Sequence, residues 1–330
     1  MKKIWVLKGL ILLALSLSAC GSSVSGITPT PPSTFTPEIP PTQVPAATIT
    51  PNPISAEKPC IGSAAPAQWE HIVVLVFENK NYDDVIGVAP YITGLAEKCA
   101  SAANWIDADF KVDGSRDGRY YSKPSYATLT NGLSPSVHGL VNDDYDDTTD
   151  VDNIYNQLNL AGKSFKDYYD GVAGGCDVRF HGDYHDPIRY YTNMASLCDA
   201  HDVPLATFMT DVSDGNLPNF SFLLPSSDNN MHNNSISDGD AYAQQLLDPL
   251  LNSDAYARGD VAIFFLWDEG APIPNVLIAP SIIPGSTFKV ESGNPVSHFS
   301  ALRTWEQMLG LPLLGDTGQA PSLLPLFNGN

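Results

Sequence analysis

The 330-residue sequence is poor in basic side chains, with 17 Lys and Arg against 37 Asp and Glu and a formal net charge of −20. A surface of this sign repels phosphate backbones, so we do not expect the protein to bind nucleic acid. Cysteine is also scarce, and none of the five cysteines forms a C-x-x-C pair, which argues against a structural zinc site. The sequence has no evident internal repeat.

The N-terminus has the pattern of a bacterial lipoprotein signal. Two lysines precede an apolar stretch, residues 9–17, that is too short to span a bilayer comfortably. The tetrapeptide "LSAC" that ends at Cys20 resembles a lipobox, which predicts a signal peptide over residues 1–19 and lipidation of Cys20. An ordinary secretory signal with a chance cysteine is the alternative. We therefore expect an exported protein, lipid-anchored to the outer face of a bacterial membrane in the cell envelope.

Residues 20–58 are rich in Pro, Thr and Ser and nearly without charge. Such a segment buries too little apolar surface to offset the entropy of ordering, which predicts a disordered stalk. A pro-segment that packs on the domain is the alternative. The folded, catalytic domain is then expected over residues 59–330.

Four cysteines lie in this domain, and an even number in an exported chain predicts two disulfides. Three connectivities are possible, and the sequence does not choose among them. Pairing of neighbours is the simplest, and it would join Cys60 to Cys99 and Cys176 to Cys198.

Continuous apolar runs with β-branched residues predict strands that are buried on both faces. Four such runs occur, over residues 71–79, 219–225, 261–270 and 275–283. Helical patterns cover residues 241–251 and 300–309. The alternation of the two patterns predicts an α/β fold with a mostly parallel central sheet and helices on both faces.

Oxygen-bearing side chains follow two of these strands. Glu78 and Asn79 end the first run, and Asp268 and Glu269 end the third. Ligands of open α/β sheets bind beyond the carboxyl ends of the strands, and oxygen donors suit a divalent cation. Strand ends are polar in any case, because loops face water. Either doublet alone is therefore a weak signal, whereas the two together favour a metal site.

The stretch "YSKPSYATLTNGLSPSVHGLVND", residues 121–143, contains a candidate nucleophile. Pro124 favours the first turn of a helix, and Ser122 just before it can cap backbone N–H groups. A helix N-terminus also attracts anions, and a serine there beside a cation could attack a phosphate ester. Spacing alone favours the capping role.

Three histidines lie in polar, loop-like stretches near the ends of predicted elements: His185, His232 and His298. A single histidine in a loop is usually a surface residue. The position of these histidines therefore assigns no role by itself.

Six motifs together resemble, in their order along the chain, the bacterial phosphoesterase family that contains acid phosphatases and non-haemolytic phospholipases C. That family belongs to the alkaline-phosphatase-like superfamily. The motifs are Glu78-Asn79, "SKPSY" from Ser122, "HDP" from His185, "LPNFSFLLPSSDNNMH" ending at His232, "WDEG" around Asp268 and "SHFSALRTWEQMLGL" from Ser297. Each motif is weak alone, whereas six in order cover nearly the whole domain.

The resemblance implies an alkaline-phosphatase-like fold and a metal-dependent phosphoester hydrolase. Ser122 would be the nucleophile and would form a phosphoseryl intermediate. His185, His232 and His298 would bind the phosphate or transfer protons. One divalent ion (Ca, Mg, Mn or Zn) would be held by Ser122 together with the two oxygen-bearing doublets: Glu78, Asn79, Asp268 and Glu269.

Two positions depart from the family pattern, and both are expected at the substrate. Ser125 replaces the asparagine that usually follows the proline, and Asn230 stands where the family commonly has Asp. Three alternatives stay open: an acid-phosphatase-like phosphomonoesterase, a phospholipase C-type phosphodiesterase, and a catalytically inactive surface-binding lipoprotein. The substrate of an active enzyme would be a small phosphate ester or a phospholipid head group.

The segment "NDDYDDTTDVDN", residues 142–153, is strongly acidic. It lacks the Gly and the terminal Glu that an EF-hand calcium loop requires at fixed spacing. We therefore predict a solvated acidic loop.

Overall fold

The computed structural model describes residues 54–102, 104–106, 111, 113, 115, 117, 121–171, 176, 185–270, 272–287 and 295–327. The predicted signal peptide 1–19, Cys20 and nearly all of the predicted stalk lie outside these residues. Within the described part, the chain already folds on the domain a few residues before position 59. Ser55 and Lys58 form a β-bridge, and the N–H of Ala56 donates to Oδ1 of Asn252 at 3.1 Å.

Eight strands form one sheet in the described residues. They are β1 (His71–Phe77), β2 (Ala100–Ser101), β3 (Phe165–Tyr169), β4 (Asp202–Pro204), β5 (Phe220–Leu224), β6 (Val261–Trp267), β7 (Val276–Ile278) and β8 (Ser286–Thr287). Their order across the sheet is β4-β3-β5-β1-β6-β7-β2-β8. The five strands from β4 to β6 are parallel, and antiparallel pairs join β6 to β7 and β7 to β2.

Helices surround this sheet. The described α-helices are α1 (Tyr82–Val85), α2 (Pro90–Lys98), α3 (Ser122–Asn131), α4 (Pro135–His138), α5 (Ile154–Leu160), α6 (Cys198–His201), α7 (Ala206–Ser213), α8 (Ile236–Leu251), α9 (Asp254–Arg258), α10 (His298–Leu309) and α11 (Leu324–Phe327). Short 3₁₀ helices cover Pro187–Tyr190, Thr192–Met194 and Thr317–Gln319. None of the helices in the described ranges is both long and apolar enough to cross a membrane.

The predicted α/β fold with a mostly parallel sheet is confirmed. The four apolar runs correspond to β1, β5, β6 and β7, although β7 is short and antiparallel to β6. Helix α8 starts five residues before the predicted position because the Ser235 side chain caps it, accepting the N–H of Asp238 at 3.1 Å. The sequence did not predict β3, whose five residues include Lys166 and Asp167 among aromatic side chains.

The central strands determine where the polar doublets lie. Strands β5 and β6 are buried at every position and β1 at all but its first, so both faces of the sheet are covered. Strands β1 and β6 pair in parallel register from His71 opposite Val261 to Phe77 opposite Trp267. The residues that follow, Glu78 and Asp268, therefore leave the sheet side by side at the same edge.

Two disulfides join neighbouring cysteines. Cys60 bonds to Cys99, and Cys176 bonds to Cys198. The predicted number of disulfides is confirmed, and the simplest of the three connectivities is the one present.

The C-terminal end of α3 requires a glycine. Gly132 has a φ of 69°, and a Cβ there would lie 2.8 Å from the carbonyl oxygen of Leu314. Its own carbonyl accepts the N–H of Asp316 at 2.7 Å. The turn that follows α10 is therefore packed directly against the end of α3.

Glu306 of α10 forms hydrogen bonds to this turn. Its Oε1 accepts the N–H of Leu314 at 2.6 Å, and its Oε2 lies 3.0 Å from the hydroxyl of Thr317. The Thr317 hydroxyl also donates to the Leu314 carbonyl at 2.7 Å. A protonated Glu306 satisfies all of these groups, since its own O–H can donate to Thr317. Burial raises the pKa of Glu306 from 4.5 to about 8.

We expect the substitution Glu306→Gln to stabilise the protein at alkaline pH. Below pH 4.5 this carboxyl is protonated in both the folded and the unfolded state, so it does not make stability depend on pH. As the pH rises from 4.5 to about 8, the unfolded chain ionises more readily than the buried carboxyl, so the free energy of unfolding falls progressively. Glutamine keeps the shape without the charge, so the melting temperature of the variant should exceed that of the wild type at pH 9 but not at pH 4. Thermal unfolding at both pH values measures this. Equal pH dependence in the two proteins would contradict the assignment.

Candidate active site

Ser122 lies at the edge of the sheet where β1 and β6 end. It is the first residue of α3, and Tyr121 is the N-cap residue. The Ser122 hydroxyl donates to Oε2 of Glu78 at 2.9 Å and lies 3.4 Å from Oε1 of Glu269. The capping role that spacing favoured is therefore wrong, because the hydroxyl is directed at the carboxylates and not at its own helix.

Glu78 is fully buried at the centre of this arrangement. Its Oε2 accepts the Ser122 hydroxyl and lies 3.4 Å from Nε2 of His185, while its Oε1 accepts a short hydrogen bond from the hydroxyl of Tyr126. Tyr126 is one helical turn after Ser122, so the two hydroxyls share one face of α3. Sequence reasoning did not single out Tyr126, although its i, i+4 spacing from Ser122 on a predicted helix is the signal that could have done so.

Asp268 stands beside Glu78. Its N–H donates to the Phe77 carbonyl at 3.0 Å, which continues the β1–β6 ladder, and its Oδ1 accepts the N–H of Asn79 at 3.1 Å. Asn79 is exposed and has a φ of 52°, a left-handed conformation that asparagine tolerates better than most residues. Asn79 thus joins the site through its backbone in this arrangement.

The two buried carboxyls repel each other. Burial raises the pKa of Glu78 well above its usual value, and the neighbouring Asp268 charge raises it further. With both acids ionised, Oδ2 of Asp268 is buried without a hydrogen-bond donor in the described part of the chain. A positive charge between them would remove the repulsion and satisfy this oxygen.

The donor chemistry at this point fits a hard divalent cation. Carboxylate, hydroxyl and amide oxygens are the ligands that such ions prefer. Within the described ranges, His, Cys, Asp and Glu side chains alone form no cluster of three or more that could hold a metal. The three carboxylates of the expected ligand set, Glu78, Asp268 and Glu269, therefore do not form such a cluster in this arrangement, and a metal site that also draws on Ser122 and Asn79 stays a prediction.

Two of the three predicted histidines lie near Glu78. His185 is buried, and its ring packs 5.6 Å from the Tyr126 ring between centroids. The ring of His232 is 6.1 Å from that of His185 and belongs to an exposed residue. The Nδ1–H of His232 donates to Oδ1 of Asn233 at 2.9 Å, which leaves Nε2 as the proton-accepting nitrogen of the neutral ring.

His298 contacts the site through the backbone of Asp268. Its Nε2–H donates to the Asp268 carbonyl at 2.6 Å, and its Nδ1 accepts the indole N–H of Trp105 at 3.4 Å. Burial lowers the pKa of His298 to about 4, which agrees with a neutral ring that has one donor and one acceptor nitrogen. Both nitrogens thus support the backbone and packing around Asp268, and a direct role in proton transfer stays a prediction.

The two residues that depart from the family pattern are both buried. The Ser125 hydroxyl donates to the Tyr121 carbonyl at 3.1 Å, within its own helix. The amide of Asn230 donates to the Pro225 carbonyl and accepts the N–H of His232, each at 3.0 Å. In this arrangement both side chains shape the backbone around the site, and contact with substrate stays a prediction.

The Asn230 backbone joins two parts of the site. Its carbonyl accepts the N–H of Glu78 at 2.9 Å, so the loop that carries His232 is tied to the end of β1. The next residue, Met231, is buried with a φ of 75°, a strained conformation for this side chain. Its carbonyl accepts the Lys80 ammonium at 2.7 Å.

The fold is shared with proteins of known structure. A phosphonate monoester hydrolase of Agrobacterium radiobacter superposes with a TM-score of 0.52 at 13% identity, covering 79% of this chain and 77% of that one. A protein in the alkaline phosphatase superfamily from Vibrio parahaemolyticus superposes with a TM-score of 0.51 at 13% identity, covering 78% and 70%. The predicted alkaline-phosphatase-like fold is confirmed.

Relatives by sequence include named phosphatases. The chain is 28% identical over 285 residues to the phosphatidylinositol-3-phosphatase of Mycobacterium tuberculosis, covering 82% of this chain and 87% of that protein. It is 24% identical over 280 residues to a probable acid phosphatase of Kluyveromyces lactis, of which it spans 60%. The model of the Phosphoesterase family matches residues 102–273, just over half of the chain. The protein therefore belongs to the phosphoesterase family, as its motifs indicated, and it is a phosphoric ester hydrolase.

Proposed function

We propose that the protein is a metal-dependent phosphomonoesterase of the acid-phosphatase type, with Ser122 as its nucleophile. The observation that carries the proposal is the buried hydrogen bond of 2.9 Å between the Ser122 hydroxyl and Oε2 of Glu78. It gives the nucleophile a proton acceptor at the carboxyl edge of the sheet. The two relatives described above are named as phosphatases, which favours phosphomonoesters as substrates.

In the first step the Ser122 oxygen attacks phosphorus and the P–O bond to the leaving alcohol breaks. The proton of the hydroxyl passes to Oε2 of Glu78 and from there to Nε2 of His185, which lies 3.4 Å from that oxygen. His185 then delivers a proton to the departing alkoxide, so that the alcohol leaves neutral. The phosphoryl group is now on Ser122.

In the second step water attacks the phosphoserine. His185 accepts one proton of the water, the P–O bond to Ser122 breaks, and the serine oxygen regains its proton by way of Glu78. Inorganic phosphate is released and the enzyme returns to its starting state. Phosphoryl transfer of this kind depends on positioning and charge neutralisation more than on covalent assistance.

The proposed cation would be held by Ser122, Asn79 and the three carboxylates at the strand ends: Glu78, Asp268 and Glu269. Such an ion lowers the pKa of a bound hydroxyl and neutralises charge on the phosphoryl oxygens. The chain itself holds these oxygens in place, because Glu78 and Asp268 directly follow β1 and β6, which pair along their full length. Tyr126 adds a fixed donor to Oε1 of Glu78, which orients the carboxylate toward Ser122.

Hydrolysis of p-nitrophenyl phosphate against p-nitrophenyl phosphorylcholine tests the substrate class. We expect kcat/KM for the monoester to exceed that for the diester by at least about 100-fold, equivalent to roughly 3 kcal/mol in transition-state binding. The assay should include each candidate ion (Ca, Mg, Mn and Zn) in turn. A preference for the choline diester would establish the phospholipase C-type alternative and overturn the monoesterase proposal.

A further inference from the structure

The acidic segment that follows α4 is bound to the N-terminus of α3 by a buried lysine. Lys123 comes directly after Ser122 and its side chain is almost completely buried. Its ammonium donates to the carbonyl of Asp147 at 2.6 Å and to that of Asp144 at a shorter distance. It also lies 5.4 Å from the centre of the Tyr190 ring. The lysine thus holds the backbone of the acidic segment and not its carboxylates.

A second contact between the same two elements involves Asp143. Its Oδ1 accepts the backbone N–H of Lys123 at 2.9 Å. This N–H is in the first turn of α3, where no carbonyl of the helix is available to it. The contact restrains the peptide plane between Ser122 and Lys123. That plane is one of the two that meet at the Ser122 Cα, so it helps to set the direction of the Ser122 side chain.

The surroundings of Asp143 agree with a place beside the catalytic carboxylates. Burial raises the pKa of Asp143, the hydrogen bond from the Lys123 N–H lowers it, and the Asp268 charge raises it, so Asp268 is within electrostatic reach. The other carboxylates of the segment belong to exposed residues: Asp144, Asp146, Asp147, Asp150 and Asp152. The prediction of a solvated acidic loop is therefore wrong for Asp143, which is half-buried.

We propose that Asp143 is a positioning residue of the active site, which orients Ser122 by accepting the Lys123 N–H and is held in place by the buried Lys123 ammonium. The inference rests on the proposed role of Ser122 as nucleophile. It predicts that loss of the Asp143 acceptor impairs catalysis after substrate has bound, because a small misplacement of an attacking atom can cost about 100-fold in rate.

The test compares three substitutions in the full-length enzyme with p-nitrophenyl phosphate as substrate. Asp143→Ala should lower kcat by at least about tenfold while KM changes by less than about twofold. Asp143→Asn keeps an oxygen acceptor without the charge and should recover most of that loss. Asp146→Ala removes an exposed charge from the same segment and serves as the matched control, with kinetics like the wild type.

A double-mutant cycle tests the part played by the ammonium. Lys123→Met keeps the apolar stem and should also lower kcat. Lys123→Met combined with Asp143→Ala should cost no more than the worse single variant, since the two contacts are proposed to act together by holding the acidic segment against the first turn of α3. Thermal unfolding of every variant is measured alongside, and assays are run well below each melting temperature.

Four results would overturn the inference: an unchanged kcat in Asp143→Ala, an effect confined to KM, an equal loss in Asp146→Ala, or no recovery in Asp143→Asn. Additive losses in the double variant would overturn the coupling to Lys123. Failure of the proposed function is recognised separately. In that case the wild type itself does not release p-nitrophenol, or Ser122→Ala remains active, whatever happens at Asp143.

Discussion

Replacement of Ser122 by alanine is expected to lower kcat by at least about 10⁴-fold, because the variant lacks the oxygen that would form the bond to phosphorus. The fold should persist. Glu78 loses one hydrogen-bond donor, which costs about 1 kcal/mol and lowers the melting temperature by a few degrees. Steady-state hydrolysis of p-nitrophenyl phosphate and thermal unfolding measure the two effects.

Ser136→Ala provides the matched control for this prediction. Ser136 is an exposed serine of α4, and its hydroxyl donates to Oδ1 of Asp117 at 2.9 Å and not to the carboxylates at the strand ends. We expect its kcat to fall by less than about tenfold. Acid quench of the wild type during turnover should trap a peptide that contains Ser122 and is heavier by one phosphoryl group. Substantial activity in Ser122→Ala, or a phosphoryl group on another residue, would eliminate the proposed nucleophile.

Replacement of Glu78 by glutamine is expected to lower kcat by at least about 10³-fold, because the site loses the proton acceptor of Ser122 and a charged metal ligand. Exhaustive chelation of the wild type should have a comparable effect, reversed when a divalent ion is restored. Glu70→Gln makes the same chemical change at an exposed residue just before β1, at the opposite end of the strand, and should leave activity unaffected.

Melting temperatures give a readout of the metal that is independent of activity. Without metal, Glu78→Gln should be at least as stable as the wild type, since it relieves the repulsion between two buried carboxyls. At about 100 times its dissociation constant, a bound ion stabilises the folded state by about 2.7 kcal/mol, which should raise the wild-type melting temperature by about 5 °C or more. The rise should be absent in Glu78→Gln. Activity that survives both the substitution and chelation would refute the metal assignment.

The Glu78 and Ser122 experiments test two claims separately: that a cation binds at the strand ends, and that Ser122 is the nucleophile. If Ser122→Ala loses activity but is still stabilised by metal, both claims are supported. Loss of that stabilisation in Ser122→Ala as well would mean that the hydroxyl also contributes to the binding of the ion, as the predicted ligand set requires. The two variants therefore need to be measured with the same series of metal ions.

Local sequence was sufficient where a residue's environment follows from its immediate neighbours. The buried runs that became β1, β5 and β6 are apolar except at His71 and Ser221, a pattern that fits neither a solvated loop nor an amphipathic helix. Strand β3 was missed because a lysine and an aspartate interrupt its apolar residues. Asp167 is buried there nonetheless, where its Oδ2 accepts the Tyr155 hydroxyl at 2.8 Å, a partner that no local pattern reveals.

The order of polar motifs also came from sequence, but their orientation did not. Glu78 and Asp268 were expected to meet because parallel strands end at one edge, and they do. Asn79 contacts Asp268 through its backbone N–H, and His298 contacts the Asp268 carbonyl. Both contacts depend on side-chain directions that are set by the packing of α10 and the strand ends. The sequence alone could not decide between a capping and a reactive Ser122, since the competing partner, Glu78, lies 44 positions away in the chain.

The amino-acid sequence by itself thus determined the α/β class, the family and the two strand ends at which oxygen-bearing side chains meet, because each follows from local composition and from the order of short motifs. Tertiary structure decided the rest. It selected the hydrogen-bond partner of Ser122, brought Tyr126 to the same carboxylate and placed Asp143 against the first turn of α3. Those outcomes depend on which distant groups are buried together, and burial at that distance is a property of the whole packed domain.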